Sequence, residues 1–169
     1  RPLSRGLGDV YKRQRFDRVA KILEQDNSLP FIEEFTNNQY TVVAGSTWEE
    51  GEQFLVNYIN QSTDEKFIIA PHTMHLKSIQ KLKGSIQKQT VLYSEKDGKD
   101  LSKYDVFILD TIGLLTKVYS YADVAYVGGG FKTGLHNILE PAIFGIPIVI
   151  GTKYSKFKEA LDLVELKGC

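Results

Sequence analysis

The stretch Val124-Ala125-Tyr126-Val127-Gly128-Gly129-Gly130-Phe131-Lys132-Thr133-Gly134-Leu135-His136-Asn137-Ile138-Leu139-Glu140-Pro141 runs from a short strand-like segment through three glycines into a helical pattern. Glycine loses more backbone freedom on folding than any other residue, so three in a row imply close approach of another group or a positive φ. Two readings stay open: a ligand against that backbone, or a tight strand-to-helix crossing with no ligand. A proline is tolerated only in the first turn of a helix, so Pro141 predicts a helix start at about Asn137 or Ile138. Glu140 then lies within one turn of the end whose free N–H groups attract anions. It can act as a capping-box carboxylate, or as an acceptor for the two hydroxyls of a ribose. No Gly-Lys-Ser/Thr follows the glycines, and Thr133 stands where a dinucleotide fingerprint needs its third glycine, so the spacing supports neither an ATPase nor an NAD site.

The same alternation recurs upstream. Runs rich in β-branched residues at 40–44, 66–70, 90–93, 106–109, 124–127 and 147–150 read as strands. Between most of them lie helical patterns: Phe54, Leu55, Tyr58, Ile59; Leu76, Ile79, Leu82; Leu114, Leu115, Val118; and Ile138, Leu139, Ala142, Ile143. Earlier, Phe16, Val19, Ile22 and Leu23 suggest one helix, and Phe31, Ile32 and Phe35 after Pro30 suggest a second, short one. Residues 90–106 break the alternation, with a turn at Asp97, Gly98 and Lys99 in place of a helix. The expected fold class is α/β, a parallel sheet with helices on both faces.

The composition fits one globular domain: 169 residues, 42% hydrophobic and 25% charged. Lys plus Arg and Asp plus Glu both number 21, so no global field draws nucleic acid or an anionic membrane. The one cysteine, Cys169, excludes an internal disulfide and a zinc site built on cysteine pairs, which suits a reducing compartment. No apolar run approaches the roughly 18 residues of a membrane span and no signal peptide is visible, so the sequence is expected to be soluble and cytoplasmic. Residues 1–14 have no periodicity and are expected to be a non-native leader.

In open parallel sheets ligands sit beyond the carboxyl ends of the strands. Four loops qualify: Gly45-Ser46-Thr47, Pro71-His72-Thr73, Asp110-Thr111-Ile112-Gly113, and the glycine loop to Asn137. Ser46 with Glu49, or Thr47 with Glu50, forms a capping box by spacing, and both hydroxyls could also meet a phosphate or carboxylate. Asp110 reads as a helix cap, and Gly113 could let a base edge meet the main chain. His72, His75 and His136 lack the spacing of a metal site, so no metal or cofactor is expected.

Taken together, Ala44-Gly45-Ser46-Thr47-Trp48, Ala70-Pro71-His72, Leu109-Asp110-Thr111-Ile112-Gly113-Leu114-Leu115, Tyr126-Val127-Gly128-Gly129-Gly130-Phe131 and Gly134-Leu135-His136-Asn137-Ile138-Leu139-Glu140-Pro141-Ala142 resemble the C-terminal half of 3-deoxy-D-manno-octulosonic acid (Kdo) transferases. The resemblance runs from about Arg15 to about Ala160, and the version with Trp48 and Pro71-His72 is similar to those of the Bacteroidetes. It implies one of the two facing Rossmann-like domains of a GT-B glycosyltransferase, here over residues 15–169, truncated at both ends. The implied activity is inverting, metal-independent transfer of Kdo from CMP-Kdo to a lipid A precursor at the cytoplasmic face of the bacterial inner membrane. By the same resemblance Ser46 and Thr47 lie near Kdo or phosphate, His72 near the nucleotide, and Ile112, Gly113 and Leu114 against cytosine. Asn137 approaches the phosphate and Glu140 the ribose, and Gly129, Gly130 and His136 are also expected among the donor-binding residues. The family's general base belongs to the N-terminal domain, so no catalytic residue is assigned here, and these residues alone are expected to bind donor without turnover. The alternatives are the donor domain of another GT-B enzyme, a UDP-sugar transferase or epimerase, or an inactive nucleotide-binding fragment.

Overall fold

The computed structural model describes Asp17, residues 21–131 and residues 134–166. The expected leader, Phe16, Val19, Thr133 and Cys169 lie outside the described residues. Six strands, β1 (Thr41–Thr47), β2 (Lys66–Pro71), β3 (Thr90–Leu92), β4 (Val106–Ile108), β5 (Val124–Val127) and β6 (Ile148–Ile150), form one sheet in the order β3-β4-β2-β1-β5-β6. Every neighbouring pair is parallel. The α/β expectation holds, and each strand falls within two or three residues of the run that announced it.

Helices α1 (Pro30–Thr36), α2 (Glu49–Gln61), α3 (Leu76–Ser85), α4 (Leu115–Val118), α5 (Leu139–Ala142) and α6 (Lys158–Glu165) connect or flank the strands. Residues 21–24, ahead of α1, are also helical. Pro30 opens α1 at a position where its missing N–H costs nothing. Between β3 and β4 there are two 3-10 turns, Tyr93–Glu95 and Leu101–Lys103, in place of a helix, as the turn residues there implied.

Successive side chains of a strand point to opposite faces, and here both faces are covered. Val43, Ile68, Val91 and Phe107 pack on one side with Phe35 and Tyr119. Val42, Phe67, Ile69 and Ile108 pack on the other with Leu55, Ile59, Ile79 and Leu82 from α2 and α3. Val127, Leu135, Ile138, Ile148 and Ala160 form a separate cluster. Burial on both faces explains why the strands read as unbroken apolar runs.

Two helical readings need correction. The buried stripe of α2 is Leu55, Val56 and Ile59, while Phe54 and Tyr58 are 66% and 52% exposed. Phe54 is turned away from the core and stacks on Phe131, with ring centroids 5.5 Å apart. In α3 only Ile79 and Leu82 enter the core, and Leu76, the first helical residue, is 71% exposed. Apolar periodicity alone did not separate the core stripe from its flanks, because each of these residues lies one position from a buried one or one turn before it.

At the amino end of β2, away from the candidate loops, Lys66 is buried, donating from Nζ to the Ser102 and Tyr104 carbonyls and lying 5.2 Å over the Phe35 ring. Loss of water around the ammonium pushes its pKa below the ordinary 10.5, with Asp105 opposing that change. Among the described residues no helix is long and apolar enough to cross a membrane.

Gly45, inside β1, has no room for a side chain: a Cβ there would lie 1.9 Å from the Tyr119 hydroxyl. Gly84 in α3 has open space around it. Gly45→Ala is therefore expected to destabilise the domain by about 1–3 kcal/mol through overpacking. Gly84→Ala should stabilise it by up to about 1 kcal/mol by restricting the unfolded chain. Denaturant midpoints of the two variants against the parent chain measure both effects.

Candidate functional site

β1 is paired to β2 on one side and to β5 on the other, and the chain leaves these neighbours toward opposite edges of the sheet. That makes the carboxyl ends of β1 and β5 the topological switch point, where open α/β sheets form their crevice. The loops there are Ser46-Thr47-Trp48 and the glycine loop, flanked by the loops after β2 and β4.

The end of β1 is irregular. Its pairing with β2 shifts between Gly45 and Thr47, and Ser46 has φ 52, a left-handed conformation that costs a non-glycine residue about 1–2 kcal/mol. The bulge brings the Ser46 carbonyl so close to β5 that a Cβ on Gly128 would lie 2.0 Å from its oxygen. Gly129, at φ 91, would place a Cβ 2.0 Å from the Gly134 carbonyl oxygen. At Gly130 a Cβ would come within 2.7 Å of the Gly151 nitrogen. Each of the three glycines thus lets a different backbone segment approach, and all three are buried. Gly128 N–H donates to Gly45 O, and Gly130 O accepts from Lys153 N–H, which fastens the loop to β1 and to the segment after β6.

Neither expected capping box forms at α2. Its N-cap is Trp48, with no side-chain cap. The Thr47 hydroxyl, buried, donates instead to Glu52 Oε1 at 2.8 Å, and Glu49 pairs with Lys81. With the register shifted between Gly45 and Thr47, the helix takes Trp48 as its N-cap, beyond both residues the spacing assumed. Burial, then the Glu49 charge, pushes the Glu52 carboxyl above its ordinary 4.5, while the Thr47 hydrogen bond opposes them.

Asp110 does not cap a helix either. It accepts from Ser94 N–H at 2.9 Å and from the Ser94 hydroxyl, tying the loop after β4 to the one after β3. Beyond it Ile112 is 84% exposed and Gly113 has φ 94, so this loop turns an apolar side chain outward before Leu114 caps α4.

The helix after the glycine loop starts where Pro141 required, with Ile138 as N-cap, but α5 is a single turn. Its dipole is correspondingly small, and any attraction for an anion comes from individual N–H groups. Asn137, not Glu140, serves the backbone: its Oδ1 accepts from Leu139 N–H at 3.1 Å. Glu140 is held by two side chains, Oε1 accepting from Asn137 Nδ2 at 3.1 Å and Oε2 from Thr116 Oγ1 at 3.0 Å. The capping-box geometry is therefore not formed, and the carboxylate, half-buried, bridges the glycine loop to α4. Burial, and then this carboxylate, pushes the Tyr119 phenol above its ordinary 10. Thr116 carried no signal in the sequence, because its partner lies 24 residues away.

Trp48 is the other residue the sequence left without a role. It stacks on His72 with ring centroids 4.2 Å apart, His72 lies 4.6 Å from His136, and Trp48 Nε1 donates to His136 Nε2 at 2.7 Å. His72 N–H also donates to Thr47 O at 2.9 Å. Three loops of the switch point are thereby joined by one aromatic stack. His75 stands apart as the N-cap of α3. Of the expected site residues, Ser46, Thr47, His72, Gly129, Gly130 and His136 converge at the ends of β1, β2 and β5. Asn137 and Glu140 join the segment of Ile112, Gly113 and Leu114 through Thr116. A hollow of about 810 Å³ lies beside this group between α2 and α3, lined by Thr47, Trp48, Glu52 and Lys77 among others, and not by Ser46, Ile112, Asn137 or Glu140.

No protein-family profile matches the chain. It is 30% identical over 142 residues to the 3-deoxy-D-manno-octulosonic acid transferase of Rickettsia typhi, covering 80% of this chain and 30% of that protein. The 3-deoxy-D-manno-octulosonic acid transferase of Chlamydia trachomatis serovar D is 32% identical over 174 residues, covering 86% of this chain and 39% of that protein. Among solved structures, the C-terminal CMP-Kdo binding domain of WaaA from Acinetobacter baumannii has the same fold, with a TM-score of 0.65 and 23% identity over 86% of this chain and 75% of that one. The chain thus spans only 30% and 39% of the length of these two relatives. Over most of its own sequence, this chain is related to the 3-deoxy-D-manno-octulosonic acid transferase family.

Proposed function

We propose that this chain supplies the donor-binding part of a Kdo transferase and holds CMP-Kdo at the switch point between β1 and β5. The observation that carries the reading is Glu140, half-buried and fixed by Asn137 and Thr116 beside the outward-turned Ile112. A carboxylate already oriented by two neutral donors keeps free lone pairs for a vicinal diol. The apolar Ile112 to Leu114 loop suits the face of a pyrimidine, and in this reading Ser46, Thr47 and His136, at the ends of β1 and β5, serve the phosphate and the sugar acid.

In this reading the bond between Kdo and the phosphate oxygen breaks as Kdo passes to the acceptor hydroxyl, and CMP departs as a phosphate monoester whose developing negative charge is met by fixed N–H and O–H dipoles, without a metal. No general base is assigned to these residues. The family resemblance places it in the N-terminal domain, which would also present the lipid A precursor at the cytoplasmic face of the inner membrane. The names of the relatives support this reading, as does the fold shared with a CMP-Kdo binding domain.

Calorimetry with CMP in the absence of added magnesium should show binding, and Glu140→Gln should weaken it by about 1–3 kcal/mol. Full-strength binding by that variant would remove Glu140 from the site. Thr116→Val, which keeps the shape and removes the donor, should cost about 0.5–1.5 kcal/mol of CMP affinity while Glu140 remains. Stronger thermal stabilisation by UDP than by CMP would move the assignment to a UDP-sugar enzyme.

A further inference from the structure

The contact between Trp48 and His136 has a direction that chemistry dictates. An indole nitrogen can only donate, so at 2.7 Å from His136 Nε2 it requires a lone pair on that nitrogen. His136 is then neutral and carries its proton on Nδ1. Free imidazole interconverts between two neutral tautomers, and which one persists in a protein is decided by the partner of one ring nitrogen. Here the partner comes from a different loop, 88 residues earlier in the chain. Among the described residues no acceptor is present for the Nδ1 proton. His136 lies at the mouth of the glycine loop, next to Asn137, its own N–H donating to Gly128 O at 3.2 Å.

We propose that Trp48 is a positioning residue that locks His136 as the neutral Nδ1–H tautomer, so that this proton is presented to an anionic oxygen of the ligand, the phosphate in the case of CMP. The second half of this assignment rests on the donor-site reading above; the first half does not. Among the described residues, the groups packed against His136 include Trp48 from the end of β1, His72 from the end of β2, and the backbone of Gly128 and Gly129 from the end of β5. Of the carboxylates on the neighbouring elements, Glu49 pairs with Lys81, Glu52 accepts from the Thr47 hydroxyl, Glu140 is held by Asn137 and Thr116, and Glu50 lies on α2. Burial, and then a neighbouring His72, hold the His136 pKa below the ordinary 6.5.

The sign of the pH effect follows. Below about 6.5 the unfolded chain takes up a proton on this histidine that the folded chain refuses, so stability falls as pH is lowered through that region. Protonation of Nε2 would set its N–H against the indole N–H and break the contact.

Long-range proton–nitrogen NMR on the full chain tests the assignment without a ligand. Nδ1 of His136 should be protonated and Nε2 bare in the parent chain, with titration displaced to lower pH. Trp48→Phe should release the tautomer and move the titration upward, and should flatten the loss of stability below about pH 6.5. Should Trp48→Phe fold poorly, replacing Trp48 by benzothienylalanine, in which sulfur takes the place of the N–H, keeps the stacking surface and removes only the donor. An unchanged tautomer and titration in these variants, or a proton on Nε2 in the parent chain, overturns the proposal. In calorimetry the same variants should bind CMP about 5- to 10-fold more weakly, the effect of losing one hydrogen bond. Weaker binding with an unchanged tautomer would reduce Trp48 to packing and also overturns it. If the parent chain does not bind CMP while the tautomer is locked, the donor-site reading falls and the locked tautomer stands, so the two fail separately.

Discussion

The Ser46 carbonyl occupies the space that a side chain on Gly128 would need. This single approach ties the end of β1 to the end of β5, the two strands between which the sheet changes direction. Ser46 accepts a left-handed conformation to make it, and glycine at 128 makes it possible. The rest of the site is arranged around that approach. The shifted register lets Thr47 turn inward to Glu52, places Trp48 over His72 and His136, and keeps the glycine loop close enough to β1 to share hydrogen bonds with it.

The triple glycine illustrates how a sequence feature can be explained by the protein itself. Its residues admit the backbones of Ser46, Gly134 and Gly151, one at each glycine. The function the loop can serve is therefore one of placement: it delivers His136, Asn137 and Glu140 to the carboxyl edge of the sheet. Glu140 is then oriented by side chains and not by the backbone of its own one-turn helix, which leaves the short α5 anchored chiefly through tertiary contacts.

The strands were legible because a parallel sheet buried on both faces demands uninterrupted apolar residues, and runs such as Phe67-Ile68-Ile69 and Val106-Phe107-Ile108 satisfy that demand locally. The absence of a helix between β3 and β4 was legible for a similarly local reason, in Asp97, Gly98 and Lys99. The helix faces were less so. Phe54, Tyr58 and Leu76 fit the helical rhythm yet face outward, since which side of an amphipathic stripe meets the sheet depends on the angle at which the helix lies across it. The capping boxes at Ser46 and Thr47 followed valid local spacing, but Thr47 bonds Glu52 further along α2, and the cap expected of Asp110 gave way to Ser94 from the loop after β3.

By itself the sequence determined the alternation of strand and helix, the six apolar runs, the glycine break after β5 and the helix start ahead of Pro141, because each depends on backbone sterics and burial within a few residues. It also determined, through its motifs, the family to which the chain is related. Only the tertiary structure decided what each polar side chain does. Thr116 meets Glu140 across 24 residues and Trp48 meets His136 across 88. A hydrogen bond depends on distances of a few tenths of an ångström between groups whose separation along the chain carries no trace of it.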